Sequence, residues 1–281
     1  MTLTIGGPKQ LALTTAGTGD NALAAHTNFG TQTGVVVASN PAATSDGPAS
    51  NAFDGSTYTY WTPDTTGVTD VKLRITTLTG VDVDFVAIAS HNLGDYGATV
   101  EVDYSANGGA NWTTVGAQAS ATDNRAMGWW FNSTNAPDWR IRVQGFTAGD
   151  PIAIGVVMFS KALHFDDKQF GGVQPPIASN EVDLLNNSSV GAHDLGNTVV
   201  RRGVKFPFTM DLLSESFTRG ADCQAFIEAY NTGAGFFFAW SPTQYGDDLR
   251  FCRRDGAALA PVYTGVRARM ALNMMLRAFG E

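Results

Sequence analysis

Apolar and polar positions alternate with a period of two along much of the first half of the chain. Val71-Lys-Leu-Arg-Ile75 and Thr99-Val-Glu-Val-Asp-Tyr104 put an apolar side chain on every second position, the pattern of a strand with one face in a core and one in water. Phe85-Val-Ala-Ile-Ala89 is apolar throughout, which predicts a central strand covered on both faces. Val35–Val37, Trp112–Val115, Met127–Phe131, Trp139–Val143 and Ile152–Phe159 complete a set of eight short strands. Asn107-Gly108 falls between two of them, and Asn-Gly between alternating runs predicts a hairpin. Short strands at regular spacing with no helical period predict an antiparallel β-sandwich, of jelly-roll type, over residues 31–160. Residues 1–30 carry Met1, Leu3, Ile5 and Leu11-Ala-Leu13 and predict a strand or two with loops.

The texture changes after residue 160. Gly171-Gly172 and Pro175-Pro176 break the chain, and Asn186–Ser189 reads as a loop. Val204–Leu212 puts its apolar residues on the even positions, with Pro207 on the odd ones. Proline has no N–H to give a ladder, so an edge strand, or the solvent side of one, is predicted. Thr218–Tyr230 is the best helix. Ala221, Ala225, Phe226 and Ala229 with Tyr230 form its apolar stripe, and Asn231–Gly233 can cap it. Phe236–Trp240 predicts a buried strand and Asp248–Cys252 another, followed by a turn at Arg254-Asp-Gly256. Val266–Phe279 alternates again, with Arg267, Arg269, Asn273 and Arg277 on its polar side. Fully extended it would span about 45 Å. Residues 161–281 therefore predict an α+β sandwich with one flanking helix, and the chain as a whole is mainly β.

Charge sharpens the boundary. Charged residues are only 16% of the chain and the net charge is −8, against about 25% charged residues in an average domain. A surface this poor in charge suits a protein packed against partners. The acidic balance argues against nucleic-acid binding, which needs a basic face. Residues 1–160 hold 6 basic and 13 acidic groups, and residues 161–281 hold 12 and 13. No apolar run approaches the 18–20 residues or so of a membrane-spanning helix. Met1–Gln10 lacks a signal-peptide core, so synthesis in a cytosol is expected. Cys223 and Cys252 read as reduced, buried thiols.

No constellation for catalysis emerges. His26, His91, His164 and His193 have no partner at metal-ligand spacing. There is no G-x-S-x-G elbow and no phosphate-binding loop. Asp82 and Asp84 stand two apart on one strand, as a pair of carboxylates for glycoside hydrolysis would. Exposed polar positions at a strand start explain them equally. The expectation is a protein that is not an enzyme.

The aromatics carry more information. Trp61, Trp112, Trp129, Trp130 and Trp139 all lie in the first β region, more than one sandwich core usually takes. Some fill the core or an interface, or some face outward as platforms for the apolar face of a sugar ring. Tyr58, Tyr60, Trp61, His91, Asn92 and Trp130 are the candidate glycan-binding residues.

Asn51-Ala-Phe-Asp-Gly-Ser-Thr-Tyr-Thr-Tyr-Trp61 resembles the A-F-D-G … T-x-W signature of discoidin-type domains, the coagulation-factor C-type or galactose-binding-like jelly rolls. Val83–Ile88 followed by Ala98–Val115, with Tyr104-Ser-Ala-Asn-Gly-Gly-Ala-Asn-Trp112, resembles the family's central block. Trp139–Val143 and Ile152–Val157 resemble its closing strands. The resemblance covers roughly residues 30–160. It implies a jelly roll whose relatives bind sugars, lipids, proteins or nothing detectable. It also implies Asp54 as a candidate holder of a structural calcium, or simply as the residue closing its Asp-Gly turn.

The second region resembles bacteriophage distal-tail and tail-tube proteins, on Arg201–Phe208, the single helix before Phe236–Trp240, and the long final run. Residues 1–30 are then expected to belong to that region, with the jelly roll inserted into it. The resemblance implies a ring-forming subunit, in a hexamer, at the tail tip or baseplate of a virion. Its assembly is in the host cytoplasm, its partners are copies of itself and other tail proteins, and host-surface glycans are a further partner. The competing expectation is a soluble carbohydrate-binding protein dimerised by its C-terminal region.

Overall fold

The computed structural model describes residues 2–4, 11–14, 21–167, 182–202, 204–265 and 267–279. Met1, Ile5, the breaks at Gly171-Gly172 and Pro175-Pro176, and Val266 lie outside the described residues. In chain order the strands are β1 (Thr2–Thr4), β2 (Leu11–Thr14), β3 (Leu23–Ala25), β4 (Val36–Asn40), β5 (Asp70–His91), β6 (Thr99–Ser105), β7 (Thr113–Ser120), β8 (Met127–Gln144), β9 (Ile154–Ser160) and β10 (Ala162–His164). Then follow β11 (Val182–Ser188), β12 (Asp194–Arg202), β13 (Lys205–Ser214), helices α1 (Glu215–Thr218) and α2 (Ala221–Thr232), β14 (Phe236–Ala239), β15 (Arg250–Arg254), β16 (Val262–Tyr263) and β17 (Arg269–Phe279).

The protein is mainly β, and its first half is an antiparallel jelly roll built on two long strands. β5 and β8 pair antiparallel from Asp70↔Gln144 to Ile88↔Met127, with register shifts between Thr76 and Val81 and between Val83 and Phe85. Toward Asp70 the pair is flanked by β4 and β6; toward His91 it is flanked by β9 and, in parallel, β2. One long strand thus replaces two predicted short ones in each case. The Thr76–Gly80 stretch between them is an irregular passage inside β5. Both ends of β5 and β8 line one core, where Leu73, Ile75, Ile141, Val86, Ile88 and Trp129 meet. Along β5 burial alternates from Asp70 to Thr77 and becomes continuous from Val83 to His91. The first half therefore has one wet face and the second has none.

The dry outer face is covered by a second sheet, in the order β10-β3-β14-β15-β17-β13 with β16 on β17. Its strands β3 and β14 are short and buried on both sides. Phe236 and Phe238 of β14 face a core with α2, while Phe237 and Ala239 face the jelly roll. Ala24 and Leu23 of β3 divide the same way, as do Cys252 and Phe251 of β15. The molecule is layered as helix, seven-stranded sheet, and jelly roll. Residues 1–30 are shared: β3 lies between β10 and β14, whereas β2 lies on β8.

Details of the second region differ from expectation. The buried face of α2 is Cys223, Phe226, Ile227 and Tyr230, while Ala221 and Ala225 are exposed. Larger side chains at positions i, i+3, i+4 and i+7 win the core because they bury more apolar area. Gly233 ends the helix in the left-handed region at φ 78°, as a C-cap glycine does. β13 is an edge strand and bears Pro207. Its alternation holds through Met210, then a register shift turns Leu213 inward. β17 has 11 residues, about 36 Å, shorter than the predicted run. It is interior, between β15 and β13. Cys223 and Cys252 are buried thiols outside any disulfide.

Candidate functional site

The predicted aromatic platform separates into buried and exposed members. Trp61 is fully buried in the jelly-roll core, and its Nε1 donates to Ser39 Oγ at 3.0 Å. Trp130 is buried between the two sheets and stacks on His164 with centroids 4.7 Å apart. Neither offers a face to a sugar. Trp129 and Trp130 are neighbours on a strand covered on both sides, so one must enter each core. Trp139 is buried beside Tyr104 and Phe131.

His91 is likewise structural. One ring nitrogen accepts from Leu93 N at 3.3 Å and Nε2 donates to Arg125 O at 2.8 Å. Burial pushes its pKa down to about 4, although the Arg125 carbonyl favours the proton. Asn92 ties two loops together. Its Nδ2 donates to Pro151 O at 2.6 Å and its Oδ1 accepts from Ala153 N at 2.8 Å.

Tyr58 and Tyr60 remain accessible, Tyr58 at 88% exposure and Tyr60 at 37%. Their loop is held by hydrogen bonds rather than by packing. Asp54 Oδ1 accepts from Ser56 N at 2.7 Å, and Oδ2 accepts from Thr59 Oγ1 at 2.6 Å. Ser56 Oγ accepts from Tyr58 N at 3.1 Å, and Asn51 Nδ2 donates to Tyr60 O at 3.1 Å. Calcium takes six to eight oxygens or so; of this loop's oxygens, both of Asp54 accept hydrogen bonds within the loop and Gly55 O accepts from Arg253 Nη2 at 2.7 Å. Among the described residues no group of three or more His, Cys, Asp or Glu side chains could hold a metal.

Trp112 has a different task. Arg140 and Arg74 lie over its ring, at 4.1 and 5.3 Å from the centroid. Arg140 Nε donates to buried Asp103 at 2.7 Å, and Arg74 Nε donates to Asp138 at 3.1 Å. The cation–π contacts pin the β6–β7 turn onto this ladder. That turn is longer than the two residues Asn-Gly predicts: Tyr104 pairs with Thr113.

Asp82 and Asp84 are not a matched pair. Asp82 is exposed and its Oδ1 accepts from Asn135 Nδ2 at 2.8 Å. Asp84 is turned into the seam between the sheets, where its Oδ1 accepts from Ala162 N at 2.7 Å. Burial raises its pKa to about 6 against the opposing pull of that N–H and of Lys161. The solvent-facing position expected for it is wrong. The irregular register at residue 84 hides this from any count of alternate positions.

These features place the exposed aromatic loop on a jelly roll of known type. Residues 35–156 match the family model of the F5/8 type C domain. The match begins just before β4 and ends in β9. Among solved structures, the chain is similar to a Ruminococcus gnavus GH29 fucosidase in complex with fucose, at 18% identity and TM-score 0.43 over 49% of this chain. The chain spans only 27% of that fucosidase. It is also similar to chitosan-binding module 1 of a Paenibacillus sp. IK-5 chitosanase/glucanase, at 20% identity and TM-score 0.40 over 48% of this chain and 99% of that one. A family 32 carbohydrate-binding module from Clostridium perfringens NanJ, in complex with galactose, matches at 17% identity and TM-score 0.37 over 45% and 93%. No curated protein matches the chain.

Proposed function

We propose that the F5/8 type C region is a non-catalytic glycan-contact module, mounted on a self-associating platform in a structural component of a tailed-phage virion. The observation that carries the glycan reading is the rigid loop 54–60, which holds Tyr58 in water. A solvated aromatic face on a pre-ordered loop is the usual support for a sugar ring, with little entropy left to lose on binding.

The platform reading draws on the resemblance of the second region to tail proteins and on β11–β12. These strands form a two-stranded sheet of their own, with Leu185, Val190, Leu195 and Val199 at 55, 109, 64 and 45% exposure. An isolated hairpin is marginally stable in water, so a partner copy of the chain is the natural cover for this arm. Several copies in a ring would convert weak single-site binding into avidity. A glycan array of the wild type and Tyr58→Ala tests the first half. Signal lost in the variant supports it, and equal background signals remove it. Light scattering tests the second half. A lasting monomer, or a dimer indifferent to deletion of residues 183–201, counts against a ring.

A further inference from the structure

Three depressions lie along the seam where the second sheet and α2 meet the jelly roll. The first, of about 410 Å³, is bounded by Asp84, Lys161, His164 and Asp222. The second, of about 160 Å³, shares Lys161 and Asp222 with it and adds His26. The third, of about 250 Å³, shares His26 and extends to Asp54, Gly55 and Arg253. Shared walls set them side by side in a line. Its far end is the loop that carries Tyr58.

The chemistry along this line is mixed. Asp84, Asp222 and Asp54 supply acceptors, Lys161 and Arg253 supply cationic donors, and the charges nearly balance. Between them lie apolar surfaces: Phe217 in the first depression, Phe29 in the second, Met158 and Phe251 in the third. At the centre His26 is fixed edge-on against Phe226, with centroids 5.6 Å apart. Its Nδ1 is buried with no hydrogen-bond partner. A buried nitrogen left unpaired costs about 1–3 kcal/mol, and the His26 residue itself lines both the second and the third depression. Each sugar hydroxyl both donates and accepts, so a chain of hydroxyls matches a wall that alternates donors and acceptors over apolar floor. A polyanion or polycation would leave charges of one sign in the wall uncompensated.

We infer that the seam is a binding groove for a neutral oligosaccharide, running from the Tyr58 loop past His26 and Lys161 to Asp84. It rests on the glycan-contact reading above and adds the path and the charge class of the ligand. Both halves of the molecule build it, so neither half alone would hold the ligand.

Calorimetric titration of the full chain tests it, with maltotriose, β-galactotriose and N-acetylated chitotriose as neutral probes and trigalacturonate as the acidic one. Lys161 and Asp222 are exposed, so Lys161→Ala and Asp222→Ala should leave the chain folded, with a single cooperative thermal transition in each. The expected result is binding of a neutral trisaccharide, weakened at least about tenfold in each variant, as loss of one good hydrogen bond implies. A neutral trisaccharide bound equally by both seam variants but lost in Tyr58→Ala overturns the groove and keeps the surface platform. Loss in the seam variants with Tyr58→Ala unaffected upholds the groove and removes the platform. Preference for trigalacturonate, or no binding of any probe, overturns the groove.

Discussion

Asp84→Asn should make the protein more stable at neutral pH. In the folded chain the carboxyl is buried in the seam and its pKa rises from 3.8 to about 6. The difference between those values corresponds to about 3 kcal/mol between the protonation states. The sign follows from proton linkage. A carboxyl with a raised folded pKa contributes its stability below pH 3.8, and that contribution is lost as pH rises through about 6. At pH 7.5 the wild type holds a buried charge that the amide of the variant avoids. Asn also keeps an oxygen to accept from Ala162 N, so the 2.7 Å hydrogen bond has a replacement. Urea denaturation at pH 4, 5, 6 and 7.5 is the assay. The variant should gain about 2–3 kcal/mol over the wild type at pH 7.5, and the gain should shrink toward zero at pH 4. A wild-type profile alone would mislead, because His91 acts in the opposite sense: its pKa falls to about 4 on burial, so it destabilises the fold as pH drops from 6.5 toward 4. The difference between variant and wild type cancels His91 and isolates Asp84. A gap independent of pH, or a variant less stable at pH 7.5, would refute the reasoning.

Two further outcomes are expected. The His91 ring protons, followed by NMR on the folded protein, should titrate with a midpoint near pH 4, well below the ordinary 6.5; a midpoint at or above 6 would mean that the ring is wet. Arg140→Ala should cost about 3–5 kcal/mol in denaturation, because it strands the carboxylate of Asp103, 2% exposed, and uncovers Trp112; Arg140→Lys should recover only part of this, since a point charge cannot both stack and bond through Nε.

Much of the strand pattern is legible in the residues, for a physical reason. Where one face is wet, as at Val71–Ile75, alternation is enforced by water itself. Where both faces are dry, as at Phe85–Ala89 and Phe236–Ala239, continuous apolar character reports it. Three things escape such reading. The passage Thr76–Gly80 joins two predicted short strands into one, with five steps along β5 set against two along β8 between Thr76↔Asp138 and Val81↔Ala136. The side on which a tryptophan packs is not encoded in its type, so Trp61 and Trp130 look like ligand platforms and are core. The helix stripe keeps the expected Phe226 and Tyr230 but is completed by Cys223 and Ile227, not by Ala221 and Ala225. The seam groove had least signal of all: Lys161, His26 and Asp222 are far apart in sequence and stand in no motif.

The continuous burial of β5 has a consequence for dividing the chain. Phe85, Ala87, Ala89, Trp130, Val156 and Met158 all belong to the jelly roll, and all face the second sheet. Phe237, Leu249 and Phe251 cover them from the other side. A fragment of residues 21–160 keeps the jelly-roll core but lays this face open to water, as one contiguous apolar patch. Patches of that kind drive association. Burying a Phe or a Met side chain is worth about 1.5–3 kcal/mol, so the exposed face of the fragment forgoes several kcal/mol in all. The fragment should be aggregated or oligomeric by light scattering, and should bind a dye for exposed apolar surface, whereas the full chain does not. Replacing Phe85 and Met158 by Gln in the fragment should restore solubility, while the same changes in the full chain should lower its melting temperature. A monomeric wild-type fragment with the full chain's melting temperature would mean that the two halves are separate modules, and that their contact contributes nothing to the fold.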